Sequence, residues 1–201
     1  MSFTIIGLTG PTGAGKTTVL HVLEGMGAAV LDCDAIYHDL TVSSQPMREE
    51  LQGRFGLDIY DAQGVLLRKK LGEKVFGDAK ALEDLNAITH RYIQLEIQRR
   101  LDQAQAEGKP MAVVDAIALI ESGVAERCHV TVAVVARPET RIGRIMARDG
   151  IDEAYARKRV EAQKPEEFFE THCQYTLHND GDDPSLLRQQ AVALFDHILH
   201  R

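Results

Sequence analysis

A chain of 201 residues, 44% hydrophobic and 26% charged, is long enough to bury a core without disulfides or metals and too apolar to remain disordered. Its net charge of -7 repels phosphate backbones, and no basic patch dominates, which argues against a nucleic-acid partner. The three cysteines, Cys33, Cys128 and Cys173, lack metal-ligand spacing and fit a reducing compartment. No segment reaches the roughly 20 apolar residues of a membrane span, so the expected location is the cytoplasm, with no membrane partner and the oligomeric state left open.

Residues 3–8 form an apolar run too short for a signal-peptide core and lead directly into a glycine-rich turn, which predicts a buried strand over 4–9. Further apolar, β-rich runs at 28–31, 111–115, 130–135 and 175–177 alternate with helical segments. The pattern predicts an α/β fold with a parallel five-stranded sheet and helices on both faces, and the glycine-rich turn after the first strand makes it one of the P-loop NTPase type. Between Asp32 and Met111 the alternation stops and the chain reads as helix after helix. There Leu82, Leu85, Ile88, Ile93, Ile97 and Leu101 form the apolar stripe of a long helix or a bent pair, with Glu96 and Arg100 on a polar face. A last helix is expected over about 185–199, packing Leu187, Ala191, Leu194 and Ile198 on the sheet after a turn at about 180–184.

After the first strand stands Gly10, Pro11, Thr12, Gly13, Ala14, Gly15, Lys16, Thr17, Thr18, which fits GxxxxGK[ST] at every fixed position in a strand-to-helix context. Glycines let the loop close around phosphate oxygens with its N–H groups inward. Lys16 is placed to reach the β- and γ-phosphates of ATP, and Thr17 to hold Mg²⁺. A P-loop leaves the acceptor open, and three further features bear on it. The second strand ends in Asp32-Cys33-Asp34, whose acids point the same way if the strand persists. Asp34 is then either a base that orients an incoming hydroxyl or the cap of a helix starting at Ala35. The third strand closes on Asp115, as a metal-assisting strand does. Finally, Arg137, Arg141, Arg144 and Arg148 lie on one helix face and continue to Arg157 and Arg159. This is either a solvated face or a lid, with Arg144 and Arg148 the favoured pair to close on a phosphoryl group.

Several stretches together resemble the dephospho-coenzyme A kinase family over nearly the whole chain. They are the P-loop, Asp32-Cys33-Asp34 as D-A-D, the run 61–68 as G-x-L-x-R, Val75-Phe76, the run 85–90 as L-N-x-I-x-H, Arg148-Asp149, Arg159 with Gln163, and Asn179-Asp180-Gly181. The resemblance implies ATP-dependent phosphorylation of the ribose 3′-hydroxyl of dephospho-coenzyme A, with Asp34 as the base. Arg68 and His90 are implied to bind the acceptor, with Asp32, Asp34 and Asp115 grouped beside them. Arg144 and Arg148 are implied in a lid at about 138–165, and Asn179 near the adenine. The implied organisation is a nucleotide-binding core of 1–34 and 108–201 with a helical acceptor-binding insertion at 35–107. The chain departs from the family pattern at Arg91, where proline usually follows the histidine, at His38, where arginine is typical, and at Ile117, where proline is usual. Other small-molecule kinases, acting on nucleoside monophosphates, shikimate or gluconate, share the fold logic. A nucleotide-dependent switch is the alternative from another class, though the chain holds no N-K-x-D guanine signal.

Overall fold

The computed structural model describes residues 3–181 and 183–200. Strands β1 (Thr4–Thr9), β3 (Met111–Asp115) and β4 (Val130–Val135) are mostly apolar because both their faces are covered, and most of their residues are inaccessible to water. The shorter β2 (Ala29–Asp32) and β5 (Tyr175–His178) flank them. Among the described residues five strands form one sheet in the order β2-β3-β1-β4-β5. β1 is central: it runs parallel to β3, with Leu8 opposite Asp115, and parallel to β4, with Leu8 opposite Val132. This register sends the chain leaving β1 and the acid ending β3 to the same carboxyl edge, where open α/β sheets bind their ligands.

One face of the sheet is closed by α1 (Lys16–Gly25) and α9 (Pro184–Leu199). Val19, Leu23, Leu187, Ala191 and Phe195 pack there with Ile6, Leu8, Val113 and Val132. Burying valine, leucine and phenylalanine side chains stabilises by about 1.5–3 kcal/mol each, so these helices are fixed mainly by packing. Asp183 caps α9 through the Ser185 amide, and Pro184 occupies its first turn. The predicted α9 stripe is corrected at one point: Phe195 is fully buried, whereas Leu194 and Ile198 are only partly covered. The opposite face carries α8 (Glu166–His172), whose Phe169 packs on Ala133 and Val135. Between β4 and α8, α6 (Pro138–Asp149) and α7 (Glu153–Glu161) pack as a pair around a small core of Ile142, Ile145, Ala156 and Val160.

The residues up to Leu31 and from Gln103 onward make one compact unit, and Asp32–Asp102 make another. The second unit contains α2 (Cys33–Ser43), α3 (Gln45–Phe55) and α4 (Arg68–Val75), and α5 (Ala79–Ala106) begins in it. Its core is formed by Met47, Leu51, Phe55, Ile59, Leu66, Leu71 and Ile88. α5 is one continuous helix. Ile88, Ile97 and Leu101 are buried as expected, but Leu82 is 46% exposed and Ala81 beside it takes the inward place. Glu96 bonds Arg99 and Arg100 on the polar face, and these guanidinium partners, Arg99 foremost, hold its carboxyl down to about 2. Among the described residues no helix is long and apolar enough to cross a membrane.

Candidate active site

The loop between β1 and α1 is shaped by glycine. Gly10 has φ 138°, and a Cβ there would lie 2.0 Å from the Val134 carbonyl oxygen of β4, so no larger residue fits against that strand. Gly15 is the N-cap of α1 at φ 107°, with no capping side chain, which leaves the positive end of the helix to an anion. Three successive loop carbonyls are tied back to the protein. Thr12 O accepts from Arg141 Nε at 2.9 Å, Gly13 O from Arg144 Nη1 at 3.4 Å, and Ala14 O from Asn179 Nδ2 at 2.8 Å. In a trans peptide the C=O and the following N–H point opposite ways, so the Gly13 and Gly15 amides face away from these braces. The Ala14 amide closes a turn onto Pro11 O at 3.2 Å.

A cavity of about 450 Å³ lies over the loop, lined by Pro11, Thr12, Gly13, Gly15, Lys16 and Thr17, and by Ile117, Arg144, Arg148 and Arg159. Lys16 Nζ is 3.7 Å from Asp115 Oδ1, and both side chains are largely shielded from water. Magnesium prefers hard oxygen ligands. The Thr17 hydroxyl in the cavity wall and the Asp115 carboxylate beside Lys16 are each oxygen donors of that kind.

The arginine series does not form one uniform face. Arg148 and Arg159 both bond Asp149, and these partners, Arg148 foremost, hold its carboxyl down to about 2. Arg144 lines the cavity while donating to Asn179 O at 2.9 Å and to Gly181 O at 2.7 Å. Arg157 instead pairs with Glu139 and Glu153, and Arg137 with Asp180. The expectation of a solvated stripe fails at Arg141, which is 2% exposed. Burial pushes its pKa down, opposed by the nearby Glu166 charge. Asn179, expected near an adenine, uses its side-chain amide to brace the loop at Ala14.

Asp34, Arg68 and His90 belong to the unit Asp32–Asp102. The strand does not persist through both acids. β2 ends at Asp32, which caps α2 by accepting from the Asp34 and Ala35 amides at 2.8 Å and 3.0 Å. Asp34 is therefore not the cap: it lies in the first turn of α2, exposed, where the helix dipole favours a carboxylate. Arg68 opens α4 and is exposed, and its charge opposes the burial that raises the Tyr37 pKa. His90 is half-buried in α5; next to it Arg91 pairs with Glu50, which also accepts from the Tyr92 hydroxyl at 3.0 Å. His38 is exposed on α2, and Ile117 is a wall of the loop cavity.

Arg141 and Gln163 hold the loop, a part that neither the arginine spacing nor the Arg159–Gln163 motif assigns to them. A signal for Arg141 was present: Ile142 and Ile145 mark the inward face of α6, and Arg141 lies one turn from Ile145 on that face.

A family model described as dephospho-CoA kinase matches residues 4–184, spanning the P-loop and the whole of the second unit. The chain belongs to the dephospho-CoA kinase family. It is 36% identical to the dephospho-CoA kinase of Corynebacterium efficiens, with 98% of each chain covered. It is also 36% identical to that of Geobacter sulfurreducens, with 92% of this chain and 94% of the other covered. Among solved structures, TT1252 from Thermus thermophilus aligns over 98% of both chains at 31% identity and a TM-score of 0.78. The family relationship covers the helical stretch between β2 and β3 as well as the glycine-rich loop between β1 and α1.

Proposed function

We propose that this chain transfers the γ-phosphoryl group of ATP to the ribose 3′-hydroxyl of dephospho-coenzyme A, yielding coenzyme A and ADP, as an enzyme of the cytoplasm. The observation that carries this reading is the family match through residues 4–184, which joins a phosphate-binding loop to the family's own helical region.

In this reading the loop amides and the N-terminus of α1 bind the β- and γ-phosphates, and Lys16 neutralises charge that builds up as the phosphoryl group moves. Thr17 and Asp115 would hold Mg²⁺, which supplies further charge neutralisation on the phosphate oxygens. Asp34 orients the 3′-hydroxyl and accepts its proton. The 3′ oxygen forms a bond to the γ-phosphorus while the bond from that phosphorus to the β,γ-bridging oxygen breaks, and ADP departs with the bonding pair. Arg144 and Arg148 offset the charge on the equatorial oxygens, and the segment at about 138–165 acts as the lid that excludes water. Residues 35–107 receive the acceptor through Arg68 and His90, with Asp32 nearby in sequence, and Asn179 contributes to the adenine site.

Two features of the loop support the reading. Its carbonyls are braced by Arg141, Arg144 and Asn179, and its lysine lies 3.7 Å from the acid ending β3. The test is ADP release measured across acceptors. Dephospho-coenzyme A should support turnover well above the acceptor-free rate, whereas shikimate, gluconate and nucleoside monophosphates should not. Turnover with one of those and none with dephospho-coenzyme A would overturn the substrate assignment.

A further inference from the structure

Thr12 has three polar groups, and two side chains engage all of them. Its carbonyl accepts from Arg141 Nε at 2.9 Å, its amide donates to Gln163 Oε1 at 3.1 Å, and its hydroxyl accepts from Gln163 Nε2 at 2.9 Å. Arg141 also donates to Gln163 Oε1, which closes the triangle. Neither side chain lines the cavity over the loop.

The burial of Arg141 is costly. Its guanidinium is 2% exposed, its bonded partners are a carbonyl and an amide, and among the described residues it forms no ion pair. A hydrocarbon side chain could occupy such a place without that desolvation. What the guanidinium adds is direction, because it fixes the Thr12 carbonyl outward. Gln163 fixes the amide on the other side of the same residue. A loop whose amides converge on an empty space has no internal reason to hold that shape, so external braces are needed to maintain it.

We propose that Arg141 and Gln163 are positioning residues for nucleotide binding: by locking both peptide planes of Thr12 they hold the loop in its phosphate-accepting shape before ATP arrives. The gain is preorganisation, since a loop already in the bound shape has less freedom to lose on binding. Gln163 stands two residues beyond α7, which shares a core with α6, so the same triangle ties that helical pair to the loop. The inference rests on the proposed nucleotide site.

The test is the ATP dissociation constant by titration calorimetry with no acceptor present, on wild type, Gln163→Ala and Gln163→Glu, with acceptor KM and unfolding midpoint measured alongside. Gln163→Ala should weaken ATP about tenfold, equivalent to about 1.4 kcal/mol, with acceptor KM unchanged. Gln163→Glu keeps an acceptor oxygen for the Thr12 amide and for Arg141, and should recover most of the affinity. Wild-type ATP affinity in Gln163→Ala would overturn the proposal. So would a loss that Gln163→Glu does not recover, or a parallel rise in both KM values with a lowered unfolding midpoint. Wild-type protein that binds no ATP would instead overturn the nucleotide site itself, and the brace with it.

Discussion

Replacing Gly15 by alanine tests the loop geometry where the loop enters α1. The residue sits at φ 107°, and an added Cβ would lie 2.3 Å from Asn179 Nδ2, the group that donates to Ala14 O at 2.8 Å. Holding a non-glycine residue at positive φ costs about 1–2 kcal/mol. Displacing Asn179 forfeits a hydrogen bond worth about 0.5–1.5 kcal/mol. Together these give about 1.5–3.5 kcal/mol, and for a chain of this size that lowers the unfolding midpoint by about 3–14 °C. The protein still folds at room temperature, since total stabilities run at about 5–15 kcal/mol. Scanning calorimetry of the nucleotide-free protein and an ATP titration read both consequences, the second as weakened binding. Asn179→Ala removes the same bond without the backbone strain, so the double variant should lose about 1 kcal/mol less than the sum of the singles. A Gly15→Ala protein with wild-type midpoint and ATP affinity would refute the reasoning.

Lys16→Ala should cut turnover by about 10²–10³-fold through lost charge stabilisation, read by steady-state kinetics; an unimpaired rate would contradict its role. Asp34→Asn should lower turnover by about 10²-fold or more while leaving ATP affinity and the unfolding midpoint in place, because Asp32 caps α2. Asp32→Ala should do the reverse to stability, costing about 1 kcal/mol of helix capping in a denaturant titration. Asp149 gives a pH dependence. Its folded-state carboxyl is held down to about 2 by Arg148 and Arg159, so its contribution is complete above the ordinary carboxylate range of about 4 and fades as pH falls toward 2. The stability gap between wild type and Asp149→Asn should therefore be flat above about pH 5 and close on acidification; a gap that widens there would reverse the sign.

The sheet and the glycine-shaped turn into α1 were legible because they depend on local chemistry: continuous apolar runs for strands covered on both sides, and GxxxxGK[ST] between a strand and a helix. What escaped depends on direction in space. Asp32 and Asp34 are equally good caps by residue type, and the extended backbone at Asp32 (φ -80°, ψ 112°) just before helical residues decides between them. On α5 a rotation of one residue separates exposed Leu82 from buried Ala81. Spacing set Arg137, Arg141, Arg144 and Arg148 on one stripe, but the inward turn of Ile142 and Ile145 carries Arg141 under the loop while Arg148 faces the cavity. Gln163 was visible within a family motif, yet its bonds to a residue 151 positions earlier arise only when α6 and α7 fold back.

The central claim is the identity of the bond made. Incubating the protein with ATP and dephospho-coenzyme A and locating the new phosphate by ³¹P NMR should show a monoester at the ribose 3′ position, formed in step with ADP. ADP formation without that monoester, or a phosphate at any other position of the acceptor, would contradict the account.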